Sequence, residues 1–273
     1  MPTQAEKAHN FRALHHRDHA FILPNPFDAG TARLLAHLGF EALATTSAGY
    51  AFTLGLPDNA VARDAMMTHI AAIASSAPLP VSGDLGNGFG DDPETVAETI
   101  LLAAAAGLVG GSIEDATGNP AQPIYNKTLA VERVRAAAEA ARSLPFPFTL
   151  TARAENFLHG RPDLSDTIDR LQAFQDAGAD VLYAPGLSTA QEIATIVSSV
   201  DRPVNVLMGS PTLRLSINQL SALGVRRVSV GGALARAALG AFLRAANEMQ
   251  QQGTFNFGVD AVSYRELMDI FQR

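Results

Sequence analysis

The 273-residue chain contains no cysteine. Disulfides, thiolate zinc sites and a cysteine nucleophile are therefore excluded, and the absence fits a cytoplasmic protein. No apolar run reaches the roughly 18 residues a membrane-spanning helix needs, because charge interrupts every Ala-rich segment. The opening stretch MPTQAEKAHNFRALHHRDHA is polar and mixed in charge, without the apolar core of a signal peptide. No low-complexity linker divides the chain, and no block of like charge marks a tail. Positive charge is also in deficit: 20 Lys and Arg stand against 27 Asp and Glu, a formal net charge of -7. Such a surface repels nucleic acid and anionic membranes, so neither is an expected partner. An anionic substrate would need a local cation to offset that field. Finally, His15, His16, His19, His37, His69 and His159 show no metal-ligating spacing and read as surface residues.

What is present is a repeat. Eight short apolar runs read as strands: 20–24, 41–47, 79–84, 109–115, 148–153, 180–185, 203–209 and 226–232. Longer helical patterns alternate with them over 28–38, 92–107, 129–142, 164–177, 189–200 and 233–252. Asp92-Pro93-Glu94 has the look of a capped first turn. The cadences LGFEAL, AGLVGG, AGADVL and LGVRRV each place a glycine at a helix end just before a strand. Strands with little polar alternation are buried on both faces, as in parallel sheets. Eight βα units in about 250 residues match a closed (β/α)8 barrel, a TIM barrel. The rival is a doubly wound open sheet, but the first strand ends in ILPNPFDAG, without GxGxxG. The chain is thus expected to be one barrel domain over 1–273, with 254–273 as a C-terminal helical extension.

In such barrels the active site gathers at the C-terminal ends of the strands. Those ends carry Asn25, Thr46, Ser47, Asp84, Glu114, Asp115, Arg153, Tyr183, Asn205 and Gly231. Asp84 and Glu114 end the third and fourth strands and should be neighbours. Paired carboxylates repel unless a cation separates them. An oxygen-only donor set suits Mg²⁺, or Mn²⁺, rather than zinc. The plainer alternative has Asp84 capping a turn and Glu114 pairing with Arg153. Arg153 ends an otherwise uncharged strand, so it needs partners: the acids alone, or the acids and a substrate carboxylate. Thr46, Ser47 and Ala48 form either a carboxylate-binding loop or a simple turn. Asp58, in LGLPD, is either a solvated acid or a residue of a closing lid. Gly231-Gly232 either binds phosphate or permits close packing.

The ordered set NPFDAGTARLLAHLGFEAL, TTSAGYAFTLGLPD, GDLGNGFG, GGSIED, LTAR, AGADVLY and PVNVL resembles the isocitrate lyase/phosphoenolpyruvate mutase superfamily, most closely its phosphonomutase-like bacterial branch. The resemblance spans nearly the whole chain. It implies a barrel whose eighth helix is exchanged between subunits of a homodimer or homotetramer. It also implies Mg²⁺ and a small 2-oxo or 2-hydroxy carboxylate. By position, Asp84 resembles the direct metal ligand, and Glu114 and Asp58 the holders of metal-bound water. Thr46, Ser47 and Ala48 resemble the carboxylate loop, Arg153 the substrate arginine, and Asn205 the matching strand-seven residue. Three departures stand out. Gly86 replaces the family's second acid two residues after the metal ligand. The K-[KR]-C-G-H segment of the isocitrate-cleaving branches is absent, which removes a thiol acid and argues against isocitrate or methylisocitrate cleavage. Thr46-Ser47 replaces Ser-Gly. The implied chemistry passes through an enolate, most simply for C–C bond cleavage. A P–C phosphonomutase or hydrolase, and a non-catalytic metabolite-binding barrel, are the alternatives.

Overall fold

A computed structural model describes residues 2–272. Eight parallel strands form one sheet: β1 (Phe21–Leu23), β2 (Leu43–Ala44), β3 (Val81–Asp84), β4 (Gly110–Glu114), β5 (Thr149–Arg153), β6 (Val181–Tyr183), β7 (Val204–Leu207) and β8 (Arg227–Ser229). Their order, β1-β8-β7-β6-β5-β4-β3-β2, wraps the sheet round until β1 and β2 face each other. The backbone N–H of Ala44 donates to the Pro24 carbonyl at 3.0 Å and bridges that seam. The expected (β/α)8 barrel is therefore what the chain forms, and all eight strands lie within the runs read from the sequence.

Around the barrel run α2 (Ala29–His37), α4 (Arg63–Ser76), α5 (Pro93–Ala105), α6 (Lys127–Arg142), α7 (Leu164–Ala177), α8 (Ala190–Ser199), α9 (Ile217–Ala222) and α10 (Ala233–Gln252). Gly39, Gly107, Gly178 and Gly224, the glycines of the four cadences, all have positive φ, from +85° to +111°. That backbone is what lets a helix stop and turn at once into the next strand. Pro93 takes the first turn of α5 as expected. Asp92 does stand at the cap position, but its side chain makes no capping hydrogen bond. The main apolar core lies between strands and helices and includes Ile70, Ile100, Leu108, Ile113, Phe174 and Ile196.

Two elements near the termini bear on the site. Helix α1 (Gln4–Leu14) was not foreseen. Its Ala8, Phe11 and Leu14 pack on Phe21, Leu23 and Val109 and close the N-terminal end of the barrel. Helix α10 behaves differently: Ala235 is its only buried residue, while Phe242 and Leu243 are 69% and 59% exposed. Beyond it, a 3-10 turn (Asn256–Asp260) leads to α11 (Tyr264–Gln272). The carbonyl of Phe271 accepts a hydrogen bond from Arg33 at 2.8 Å, which ties α11 to α2. Among the described residues, no helix is long and apolar enough to cross a membrane.

Two histidines correct the surface assignment. His15 and His69 are 4% and 8% exposed. His15 stands edge-on to Phe11 and Phe21, and His69 stacks on Tyr50 at 3.7 Å. Burial drives their pKa values down to about 3 and about 4. Both are neutral core aromatics at ordinary pH.

Candidate active site

The site is assembled from strand ends, and Arg153 is its hub. One of its nitrogens, Nη1, donates to Asp84 Oδ1 and reaches Glu114 Oε2, both at 3.1 Å. Its Nε donates to Glu155 Oε1 at 2.8 Å. The Arg153 guanidinium lies 5.1 Å from the centre of the Tyr183 ring. Register explains the convergence, since Glu114, Arg153 and Tyr183 are abreast on β4, β5 and β6, and Asp84 is abreast of Ser112 on β4. The adjacency expected for Asp84 and Glu114 is thus present.

Three carboxylates around one guanidinium leave an excess of negative charge. Burial pushes the Glu114 carboxyl up to about 8; Arg153 opposes that, while Glu155, Asp84 and Asp58 add to it. Burial disfavours the Arg153 cation too, but Glu155, Glu114 and Asp84 outweigh it and raise its pKa further. Burial also lifts Tyr183 to about 12.

The remaining candidates surround this hub. Ser47 N–H donates to Asp84 Oδ2 at 3.0 Å, and Ser47 Oγ donates to Asp58 Oδ1 at 3.1 Å. Asp58 is therefore linked to the acids through Ser47 on an exposed loop. The segment Thr46–Ala48 opens a helix. Thr46 caps α3 (Ser47–Thr53) by accepting from Gly49 N–H at 3.1 Å, and Ser47 and Ala48 form the first turn. Asn205 lies deeper in the barrel, donating to Ser229 Oγ and accepting from Arg227 Nε, both at 2.9 Å. Val230 and Gly231 donate their N–H groups to Asn25 Oδ1 at 2.9 Å each. The Gly231 amide is therefore already engaged by Asn25 and is not free for a phosphate.

The glycines after Asp84 have two uses. A side chain on Gly88 or Gly90 would press on Val96 or Thr95, so these two let the loop lie against α5. Gly86, at φ +54°, has nothing within 4 Å of where a Cβ would stand. It borders a cavity of about 260 Å³ whose lining includes Asp84, Glu114, Asn87, Thr117 and His159. Arg133 holds this loop from α6, donating to the carbonyls of Asn87, Gly90 and Asp91.

Sequence reasoning missed Glu155, Arg133 and the pocket position of His159. Glu155 follows Arg153 by two residues, just past the end of β5. Its backbone N–H donates to Asp115 Oδ1 at 2.8 Å, and Asp115 pairs with Arg170 at 2.9 Å. Asp115 is thus a second support behind the hub.

The donor set fits a hard divalent cation. The acids at the hub offer only oxygen donors and carry uncompensated charge; His159 is the imidazole in the cavity lining. No cluster of three or more metal-ligating side chains occurs among the described residues. A cation at Asp84 and Glu114 would thus keep several waters, which is usual for Mg²⁺.

Comparison with known proteins bears on this geometry. The family model described as phosphoenolpyruvate phosphomutase matches residues 11–250. A candidate lyase/mutase from Burkholderia cenocepacia J2315 superposes with a TM-score of 0.97 at 65% identity, covering 99% of this chain and 97% of that one. The 2-methylisocitrate lyase of Salmonella typhimurium is 33% identical over 65% of this chain and 62% of its own length. A solved structure of oxaloacetate acetylhydrolase with its product oxalate gives a TM-score of 0.89 at 25% identity, covering 99% of this chain and 95% of that one.

Proposed function

Since the chain belongs to the isocitrate lyase/phosphoenolpyruvate mutase superfamily, we propose that it is an Mg²⁺-dependent enzyme that forms an enolate from a small 2-oxo or 2-hydroxy carboxylate and breaks a C–C bond. The observation that carries this reading is Arg153 Nη1 held between Asp84 and Glu114 at the barrel mouth. A bound divalent cation would be held by Asp84 directly and by Glu114 and Asp58 through water, and would supply positive charge where the enolate develops. Arg153, kept cationic by three acids, binds the substrate carboxylate and faces the same developing charge. Fixed electrostatics of this kind lowers a barrier by about 3 kcal/mol per well-placed donor. The small residues Thr46, Ser47 and Ala48 border the carboxylate. Asn205 orders the floor beneath.

The C–C reading is preferred over P–C chemistry because Asn25 already occupies the Gly231 amide of the candidate phosphoryl site. Methylisocitrate, the substrate named for the Salmonella relative, is disfavoured because no cysteine thiol is available. The open space at Gly86 favours one further reading, a binding protein without turnover. Exposed apolar residues along α10 support exchange of this helix within a homodimer or homotetramer.

A panel of 2-oxo and 2-hydroxy dicarboxylates and phosphonates, assayed with Mg²⁺ and with a chelator, tests the proposal. Chelator-sensitive turnover of a dicarboxylate, lost in Arg153→Ala, is expected. Binding of oxalate without turnover of any panel member would favour the binding protein. Equal turnover in Arg153→Ala would remove Arg153 from the chemistry.

A further inference from the structure

TIM-barrel interiors are ordinarily filled with branched apolar side chains. Here the interior carries Ser82, Ser112, Thr151, Asn205, Ser229 and Arg227. Arg227 Nη2 donates to Thr151 Oγ1 at 3.0 Å. Strands β8 and β5 are not neighbours, so this bond crosses the barrel interior. Arg227 Nε donates to Asn205 Oδ1 at 2.9 Å. Its third nitrogen, Nη1, is buried and has no hydrogen-bond partner.

Arg227 is 3% exposed, and among the described residues no carboxylate pairs with it. Arg153, by comparison, carries three. A buried cation without an anion is costly. Burial lowers the Arg227 pKa only to about 10, so the charge persists at neutral pH. His15 does not relieve it: its Nδ1 is bonded to the Phe11 carbonyl, and the ring is neutral. A cavity of about 50 Å³ is lined by Arg227, Ser82, Ser112 and Ser229, and also by Asp84, whose charge Arg153 offsets in the same lining. That volume exceeds what one water needs and suits a halide or a single carboxylate group.

We propose that Arg227, with the serine hydroxyls around the cavity, forms a floor site inside the barrel for one small anion. The Arg227 guanidinium, which borders the cavity, supplies the positive charge. The anion is either free in solution or one carboxylate of the substrate. The substrate source rests on the proposed function, whereas the free-anion source does not.

Bromide soaking of wild-type crystals tests the free-anion source. An anomalous peak against the Arg227 guanidinium is expected for it, together with a saturable rise in Tm with bromide that Arg227→Met abolishes. Calorimetry with oxaloacetate and with oxalate, in halide-free buffer, tests the substrate source. There the expectation is no bromide peak and at least a tenfold weaker oxaloacetate affinity in Arg227→Met, the loss typical of one charged hydrogen bond. Loss of oxalate binding in both proteins would fault the Arg153 site and leave the bromide result to decide the floor site. If Arg227→Met does not fold, Arg227→Gln replaces it. No bromide peak, with unchanged affinity for both acids in the variant, overturns the floor site and makes Arg227 a purely structural crosslink.

Discussion

Binding of Mg²⁺ should displace a proton from Glu114. Burial pushes the Glu114 carboxyl up to about 8. A metal shell needs the ionised form, whether the carboxylate binds directly or through water. At pH 7 most molecules without the cation hold this proton, so binding releases close to one proton. Between pH 6 and pH 8 the ionised fraction grows steeply, so affinity should rise by about tenfold or more and level off once the carboxyl is fully ionised. Calorimetric titration in buffers of different ionisation enthalpy counts the proton directly. Glu114→Gln, which has no proton to lose, should bind Mg²⁺ weakly and without this pH dependence. A flat affinity from pH 6 to pH 8, or the same proton release in Glu114→Gln, would refute the argument.

Four more outcomes are expected. His15 and His69 are held neutral, with folded pKa values near 3 and 4 against about 6.5 unfolded. Their stabilisation is complete above pH 6.5 and is lost as pH falls toward those values, about 2 kcal/mol each by pH 5. Glu114, with its raised pKa, acts in the opposite sense. Urea unfolding should therefore show the effect as a smaller acid loss in His15→Phe than in wild type; identical losses would exclude it. Gly86→Asp fits the open space and should cost about 1 kcal/mol for its positive φ, while tightening Mg²⁺ at least tenfold by calorimetry. Arg133→Met strips three loop carbonyls of their donor and should lower stability by about 3 kcal/mol or more in chemical denaturation. Phe242→Glu on α10 should yield smaller assemblies in light scattering; an unchanged mass would count against helix exchange.

The strands were legible because parallel strands covered on both faces must be apolar runs, and glycine-ended helices fixed their spacing. Helix α4 was hidden by chemistry that looks polar on paper. Its buried face is Met66, His69, Ile70, Ile73 and Ala74, and the pattern closes only when His69 counts as an aromatic core residue. Asp84, Glu114 and Arg153 were legible because polar groups ending apolar strands are conspicuous. Glu155 was not, since an acid just past a strand resembles any loop acid until its bond to Arg153 is seen. Arg227 was obscured by its place at the start of β8, where the rule about strand ends points away from it. Thr46–Ala48 reads as a carboxylate-binding loop or a turn, and the helix that Thr46 caps through Gly49 is not marked in the sequence.

The central claim is a divalent cation at Asp84 facing a carboxylate held by Arg153. A crystal structure of the wild-type protein soaked with Mg²⁺ and oxalate tests it most directly. The expected map shows the cation against Asp84, with oxalate in contact with Arg153. A map without either ligand there, at concentrations that saturate binding in solution, would contradict the account.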